Sequence, residues 1–407
     1  MTPTTDTLTR DDSQVHYNPY DYEIHEDPYP TYARLRADAP LYRNDELDFW
    51  ALSRHEDVLA AFRNPVQLSN RFGVSLDPAA YGPEAHRAMS FLAMDPPRHT
   101  RMRSLVSKAF TPRRVAEMED RIRVIALEHI NSSVERGSFD FVADFAGRMP
   151  MDVISEMIGV PRADRSELRL LADLLVERVE GINDVPPAGV EAAFTMAGYF
   201  EDMVQAHRTT RGDDLTSALL DTDIDGDRLT QDEIIGFLFL MTVAGNETTT
   251  KLLANAWYWA WKFPEQRAKA FAEPGRIPAW VEETLRFDAS SQMLLRVTSG
   301  DVELRGEVLP DSSRVLLLVG SANRDEAVFE DPERYDIDRD SRSKLVSFGS
   351  GRHVCLGAAL ARLEARVGLE ELVARVADYD IDEADARRVH SINVRGFAAL
   401  PTAVSLR

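Results

Sequence analysis

SFGSGRHVCLGAALARLEARVG, residues 347–368, holds Cys355, the one cysteine in a chain of 407 residues. Phe348, Gly349, Gly351 and Gly357 stand around it. Glycine serves where φ must be positive or where something must lie close against the backbone. Beyond the cysteine, Leu356, Leu360, Leu363 and Val367 recur at the spacing of one helix face. Cys355 therefore sits near the mouth of a helix. Free N–H groups and the positive end of the helix dipole favour a thiolate there.

On the residues alone, three readings stand side by side. The thiol is an inert buried side chain, or a nucleophile that needs a histidine base in space, or a ligand to a single metal centre. A zinc site wants three or four protein ligands, and no CxxC or HxxxH cluster accompanies this cysteine. A haem iron needs one axial ligand, because the porphyrin supplies four.

Composition bounds the alternatives. Hydrophobic residues make up 44% and charged residues 28%, as in ordinary globular proteins. One cysteine forbids an intrachain disulfide and points to a reducing compartment. A net charge of -21 argues against nucleic acid and anionic membrane surfaces as partners. The opening MTPTTDTLTRDDSQ lacks the apolar segment of a signal peptide. The most apolar run, IIGFLFLMTVAG at 234–245, is too short to span a bilayer. A cytoplasmic protein is expected.

No repeat or low-complexity linker divides the chain, so 1–407 is expected to be a single domain, mainly α with a minor β portion. YPTYARLRADAP and HEDVLAAFRNP read as helices, and LYRNDELDFWALSR as two strands about a turn. RRVAEMEDRIRVIALEHINSSVERG, MDVISEMIGV, ADRSELRLLADLLVERVEG and AAFTMAGYFEDMVQAHRTTRG read as helices. A long apolar helix is expected from about Thr230 to about Trp261, roughly 48 Å at the α-helical rise. Strand patterns return in LRVTSGDVELRGEVLP, RVLLLVGSA and INVRGFAAL.

FGSGRHVCLG, residues 348–357, resembles the haem-binding loop of the cytochrome P450 family, F-G-x-G-x-H/R-x-C-x-G. The resemblance implies a helical prism with small sheets, haem b as cofactor, and Cys355 as the axial iron ligand. A thiolate there pushes electron density to the iron and favours O–O cleavage. It also implies that Phe348, Gly349 and Gly357 shape the loop against the cofactor.

Three further stretches agree in order. VEETLRFD places Glu283 and Arg286 at i, i+3. Alone this is an ordinary helix ion pair. It resembles the family's E-x-x-R helix, whose pair joins a third arginine behind the cysteine loop. Arg339 in YDIDRD is the best match for that arginine, and Arg334 the fallback. VAGNETTTKLL resembles the family's A-G-x-D/E-T-T. Here Ala244 and Gly245 are expected on the cofactor side, with Gly245 removing a side chain. The Thr248 hydroxyl can bond back to the Ala244 carbonyl and widen that turn. The resemblance assigns Thr248 to hydrogen-bonding dioxygen and Glu247 to proton delivery. Taken alone, the pair reads as a buried threonine beside a solvent-facing glutamate. MDPPRHTRMRSLVSKAF puts His99 and Arg103 on one helix face, opposite Met102, Leu105 and Val106. It resembles the family's H-T-x-x-R helix. That implies propionate contacts from His99 and Arg103, joined by Arg296 in LLRVT and by His353.

One departure is visible. FDASSQMLLR carries Ser290 where the family often has proline, which would loosen that wall of the pocket. Candidate pocket residues are Val243, Met293, Leu294, Phe91, Ile392 and Asn393, implying a hydrophobic small-molecule substrate. No GxGxxG follows a strand, so electrons are expected from a separate ferredoxin and its NAD(P)H-dependent reductase. Between 342 and 375 there are six Arg/Lys (342, 344, 352, 362, 366, 375) against three acids (364, 370, 371), a basic face suited to an acidic carrier. A monomer is expected. The expected function is a monooxygenase that hydroxylates or epoxidises its substrate. Competing readings are a peroxide-driven enzyme or a non-catalytic haem ligand-binding protein on the same fold, and a helical hydrolase using Cys355 as nucleophile.

Overall fold

TQDEIIGFLFLMTVAGNETTTKLLANAWYWAWK builds the axis of the molecule. In the computed structural model, which describes residues 15–407 apart from the side chains of Ala109 and Pro112, it forms one helix, Gln231–Lys262. The opening MTPTTDTLTRDDSQ lies outside the described residues. The helix starts where a capping box sets it. Thr230 Oγ1 accepts from Glu233 N at 3.2 Å, and Glu233 Oε2 accepts from Thr230 N at 2.9 Å. The helix is α-helical throughout, so the widened turn expected near Thr248 is not formed. Most of its residues are buried, because other helices cover it on several sides. Among the described residues no helix is long and apolar enough to cross a membrane.

The C-terminal half of this helix packs into an aromatic stack. Trp257 lies between Phe141 (5.0 Å, 9°) and Tyr379 (3.6 Å, 15°), and the Tyr379 hydroxyl donates to the Trp257 carbonyl at 2.7 Å. Offset stacking of this kind adds about 1 kcal/mol per pair beyond burial.

The largest sheet has five strands in the order Leu41–Asn44, Phe49–Leu52, Arg314–Leu318, Met293–Thr298, Leu68–Ser69. Arg314–Leu318 runs parallel to Phe49–Leu52 and antiparallel to Met293–Thr298, with Val315 opposite Arg296. Alternation along Met293–Thr298 sends Met293 and Leu295 to one face and Leu294 and Arg296 to the other. That choice of face decides which of these residues meet the site.

Several sequence expectations shift. RRVAEMEDRIRVIALEHINSSVERG is two helices, Pro112–Glu117 and Glu119–Val134, parted at Met118, whose N–H bonds Val115 in a tightened turn. ADRSELRLLADLLVERVEG is helical only over Arg165–Val176. Its tail leaves the helix to carry Arg178 to Asp77. INVRGFAAL forms a strand only at Phe397–Ala399. Its first residues make a loop held by a β-bridge from Val394 to Ser291 and by Arg395 Nε donating to Asp288 Oδ1 at 2.7 Å.

Candidate haem site

The cysteine loop is shaped by two backbone demands. Gly349 and Gly351 adopt φ of +67° and +71°, a region that L side chains rarely enter. A Cβ on Gly351 would also stand 3.0 Å from the Phe62 carbonyl. The loop closes when Cys355 N donates to the Phe348 carbonyl at 2.9 Å. Gly357 has an ordinary φ of -82°. A Cβ there would face the sulfur at 4.0 Å, so its use is close approach rather than conformation. The helix Ala358–Arg375 begins immediately after. Phe348 is held from outside by the Arg362 guanidinium, 4.4 Å from its ring.

The Cys355 side chain is exposed, yet desolvation raises its thiol pKa above the ordinary value. Those two facts place the sulfur in a protein-walled recess rather than on the open surface. Against that rise, the N–H groups of Gly357 and Ala358 and the charges of Arg103 and Arg362 favour the thiolate.

On the central helix, Ala244 is exposed, and Val243 and Thr248 are partly exposed. The Thr248 hydroxyl donates to the Ala244 carbonyl at 2.7 Å, as the sequence suggested. Gly245 does not share their outlook. A Cβ on it would meet Ile154 Cδ1 and Cγ1 at 3.5 Å, because Gly245 faces the helix Met149–Ile158. Glu247 is neither solvent-facing nor open to the cavity. It is 1% exposed, 3.3 Å from Lys251 Nζ.

His99, Arg103, Arg296 and His353 converge from three segments. The His99 and His353 rings are 4.1 Å apart, and Arg103 lies 5.2 Å from the Phe91 ring. Among the described residues, both nitrogens of both histidines and Nη1 of Arg103 are buried without a hydrogen-bond partner. Arg296 is 2% exposed and, among the described residues, its side chain donates to its neighbour's carbonyl alone, Leu295 O, at 2.7 Å. Burial, then the neighbouring cations, push His99 down to about 4 and His353 to about 3. Burial pushes Arg296 down to about 10, with Asp95 the acid that opposes it. A buried cation without an anion costs several kcal/mol. Orphaned donors of one sign, beside a recess floored by Cys355, fit a planar group carrying two carboxylates. Haem b is such a group. Cys355 would ligate its iron, His99, Arg103, Arg296 and His353 would hold its propionates, and Ala244 would face its ring.

Behind the loop, Glu283 and Arg286 are both fully buried, unlike an ordinary helix-surface pair. Arg286 Nη2 and Nε donate to the two Glu283 oxygens at 2.7 and 2.9 Å. Its remaining donors take the carbonyls of Asn323, Pro332 and Arg334 at 3.2, 2.9 and 3.0 Å. Arg339 Nε reaches Glu283 Oε1 at 3.4 Å, so Arg339 is the third member and Arg334 supplies only its carbonyl. Asn323 Oδ1 accepts from Val346 N at 2.8 Å, which ties this network to the segment entering the cysteine loop.

Two pocket candidates fall elsewhere. Met293 is completely buried and accepts from the Tyr17 hydroxyl at 3.7 Å, on the far side of its strand from Arg296. Ile392 is buried in the same tyrosine-rich core. Leu294 shares the Arg296 face and is partly buried. Phe91 is 6% exposed and packs on His99 and Phe237, with ring centroids 6.1 and 6.2 Å away. Asn393 donates to Ser75 Oγ at 2.9 Å. The segment at Ser290 is pinned rather than loosened. The Ser290 carbonyl accepts from Arg395 N at 2.8 Å, and Gln292 N donates to the Asn393 carbonyl at 2.8 Å. Sequence reading missed Asp77 and Arg178, which no motif marks.

The family model for cytochrome P450 matches residues 190–377. A cytochrome P450 123 of Mycobacterium tuberculosis is 55% identical over 401 residues, covering 98% of this chain and 100% of the relative. The cytochrome P450 monooxygenase PikC of Streptomyces venezuelae is 37% identical over 388 residues, 92% of this chain and 90% of the relative. The solved structure of cytochrome P450 CYP109Q5 from Chondromyces apiculatus superposes with a TM-score of 0.85 at 35% identity, covering 97% of this chain and 99% of that one.

Proposed function

The chain belongs to the cytochrome P450 family and is a haem-thiolate monooxygenase with haem b as its cofactor; from that premise we propose that it hydroxylates or epoxidises a hydrophobic small molecule, using O2 and electrons from a separate ferredoxin and its NAD(P)H-dependent reductase. The observation that supports this reading is the exposure of side chains along the central helix and on the Arg296 face of the strand Met293–Thr298. Val243 and Leu294 are apolar and partly open, and Ala244 is exposed, while Thr248 is the one hydroxyl among them.

Haem b, when bound, supplies O2 activation and electron storage at the iron. The chain's residues do the rest. Cys355 would hold the iron through one thiolate, and the loop N–H groups with Arg103 and Arg362 oppose the desolvation that favours the neutral thiol. Ala244 leaves room against the ring. Thr248 turns its hydroxyl between the Ala244 carbonyl and the cavity. Glu247, next in sequence, is the proton source on the same turn. The apolar walls exclude water from the reacting substrate.

Electron entry is proposed at the basic face around the loop. Arg352 is exposed beside the cysteine, whereas Arg366 is already tied to Glu119 and Glu370 at 2.6 and 2.9 Å.

The test is turnover of hydrophobic compounds selected by the spin-state shift they cause, with ferredoxin, reductase and NAD(P)H. A product enriched in 18O from labelled O2 is the expected result. The Thr248→Ala variant should consume NAD(P)H while releasing peroxide. Oxygenation supported only by added peroxide, with T248A unaffected, would overturn the reading in favour of a peroxide-driven enzyme.

A further inference from the structure

A cleft of about 440 Å3 shares no residue with the haem site. It opens between the helix Tyr29–Asp38 and the C-terminal end of the central helix, where Tyr258 and Trp259 supply an aromatic lining. Arg324, Arg388 and Arg395 come to it from the later part of the chain. A volume of this size suits a small molecule. Three guanidiniums on one cleft need anions to balance them.

Arg395 is fully committed. Its Nε donates to Asp288 Oδ1 at 2.7 Å, and its two Nη groups donate to the carbonyls of His25 and Glu26 at 2.6 and 3.1 Å. Asp288 is completely buried and also accepts from the Tyr29 hydroxyl at 2.7 Å and from Trp259 Nε1 at 2.8 Å. One carboxylate is thus spent on one arginine. Arg388, with 9% of its side chain exposed, reaches Asp288 Oδ2 only at 3.4 Å. Its guanidinium lies instead against the rings of Phe397 and Tyr258, at 3.9 and 5.2 Å. Glu383 also stands within electrostatic reach of Arg388, but it is held by Lys262 Nζ at 2.7 Å and by the Tyr258 hydroxyl at 2.6 Å. Burial, then the Arg395 charge, push Arg388 down to about 10. Arg324 lies 3.4 and 3.7 Å from the Tyr29 and Phe287 rings, and its Nη1 donates to Glu333 at 2.5 Å. Among the described residues, its Nη2 has no hydrogen-bond partner.

Acids stand at the mouth of the cleft. The side chains of Glu26 and Glu333 are 57% and 58% exposed, and Asp27 is exposed. Cations inside and acids outside favour a ligand with one negative charge, because a dianion meets repulsion on entry. The aromatic lining favours an apolar body behind that charge. We propose that this cleft binds a small organic monocarboxylate, its carboxylate on Arg388 and on Nη2 of Arg324 and its apolar body against Tyr258 and Trp259. A guanidinium takes a carboxylate through two parallel hydrogen bonds, so binding would give Arg388 the anion that Asp288 does not supply. The site stands apart from the oxygenation chemistry and does not rest on it.

Benzoate is the probe, titrated by calorimetry into holoenzyme whose iron already carries an azole, so that the haem cavity is closed to it. Saturable binding is expected. Benzamide, the uncharged isostere, should not bind, and phthalate, the dianion, should bind more weakly than benzoate. Arg388→Gln should lower the affinity for benzoate by roughly tenfold. It should leave the red-shifted Soret band of the reduced CO complex intact. Benzoate should raise the thermal midpoint of the native chain and not that of R388Q. The exposed pair Glu26→Gln and Asp27→Asn does not touch the buried network through its side chains, and together these changes should tighten benzoate binding several-fold. Benzoate that binds no better than benzamide, or equally well to the native chain and to R388Q, overturns the site. So does an absence of saturable binding in both the native chain and the E26Q/D27N variant.

Discussion

Arg178 and Asp77, 101 residues apart in sequence, form a buried two-pronged ion pair, Nε to Oδ1 at 2.9 Å and Nη2 to Oδ2 at 2.6 Å, with 5% and 0% of their side chains exposed. The pair knots four segments. Arg178 N donates to the His390 carbonyl at 2.6 Å, and its own carbonyl accepts from the Tyr22 hydroxyl at 3.2 Å. Ser75 Oγ, which Asn393 engages, donates to Asp77 Oδ2 at 2.6 Å. The linker between the helices Arg165–Val176 and Pro187–Thr209 is thus fastened to the segment around residue 77.

Removing one partner leaves an uncompensated buried charge, which costs about 3–5 kcal/mol. Arg178→Met and Asp77→Leu should each lower the thermal midpoint clearly. The double variant should recover much of the loss, because an apolar pair of similar volume replaces both charges. Additive losses in the double variant would refute the coupling.

Glu283 and Arg286 carry a larger structural consequence. Glu283→Ala would strip Arg286 of its carboxylate and free Asp336 N, which donates to Glu283 Oε1 at 3.0 Å. Haem incorporation should fall, read as loss of the strongly red-shifted Soret band of the reduced CO complex. Arg339→Ala removes only the 3.4 Å contact and several carbonyl contacts at the rim, and should be milder, about 1 kcal/mol.

The buried His99–His353 cluster should make the haem-free protein acid-sensitive. His99 and His353 titrate in the folded chain at about 4 and about 3, below the ordinary histidine range. Between pH 6.5 and those values the unfolded chain binds protons that the folded chain refuses. Stability therefore rises with pH through this window and is lost as pH falls, by at most about 1.4 kcal/mol per pH unit for each proton. Denaturant midpoints of haem-free protein between pH 4 and 7 should show this slope, and His99→Gln should flatten it. In the holoenzyme, carboxylates facing the rings should remove most of the effect.

Charge reversal should separate the two arginines near the loop. Arg352→Glu should slow reduction by ferredoxin and weaken its salt dependence, since steering depends on exposed charge. Arg366→Glu should act chiefly on stability, by setting a third acid beside Glu119 and Glu370. Equal kinetic effects of the two would argue against Arg352 as the steering residue.

Local signals were legible in the chain wherever the physics is local. The glycines of the cysteine loop announce their own backbone angles, and Thr230 with Glu233 marks the start of the central helix within four residues. The Thr248 back-bond to Ala244 spans one turn and was readable as such. Which way a side chain faces across a packed boundary was not. Met293 and Leu294 are adjacent and both apolar, and only the strand's register against Arg314–Leu318 sends one to the tyrosine core and the other to the site. Gly245 and Ala244 are separated in the same way by the helix Met149–Ile158.

The sequence by itself determined the cysteine loop, the E-x-x-R pair, the long helix and the chemistry they imply, because each depends on residues a few positions apart. The tertiary structure decided that Glu247 is buried rather than solvent-facing, that Asp77 takes Arg178, and that Arg339 rather than Arg334 completes the Glu283 network. Those pairings join segments far apart in the chain. Any of several acids and bases satisfies such a charge equally well in sequence, and only the packed geometry, which buries one choice and exposes the rest, selects among them.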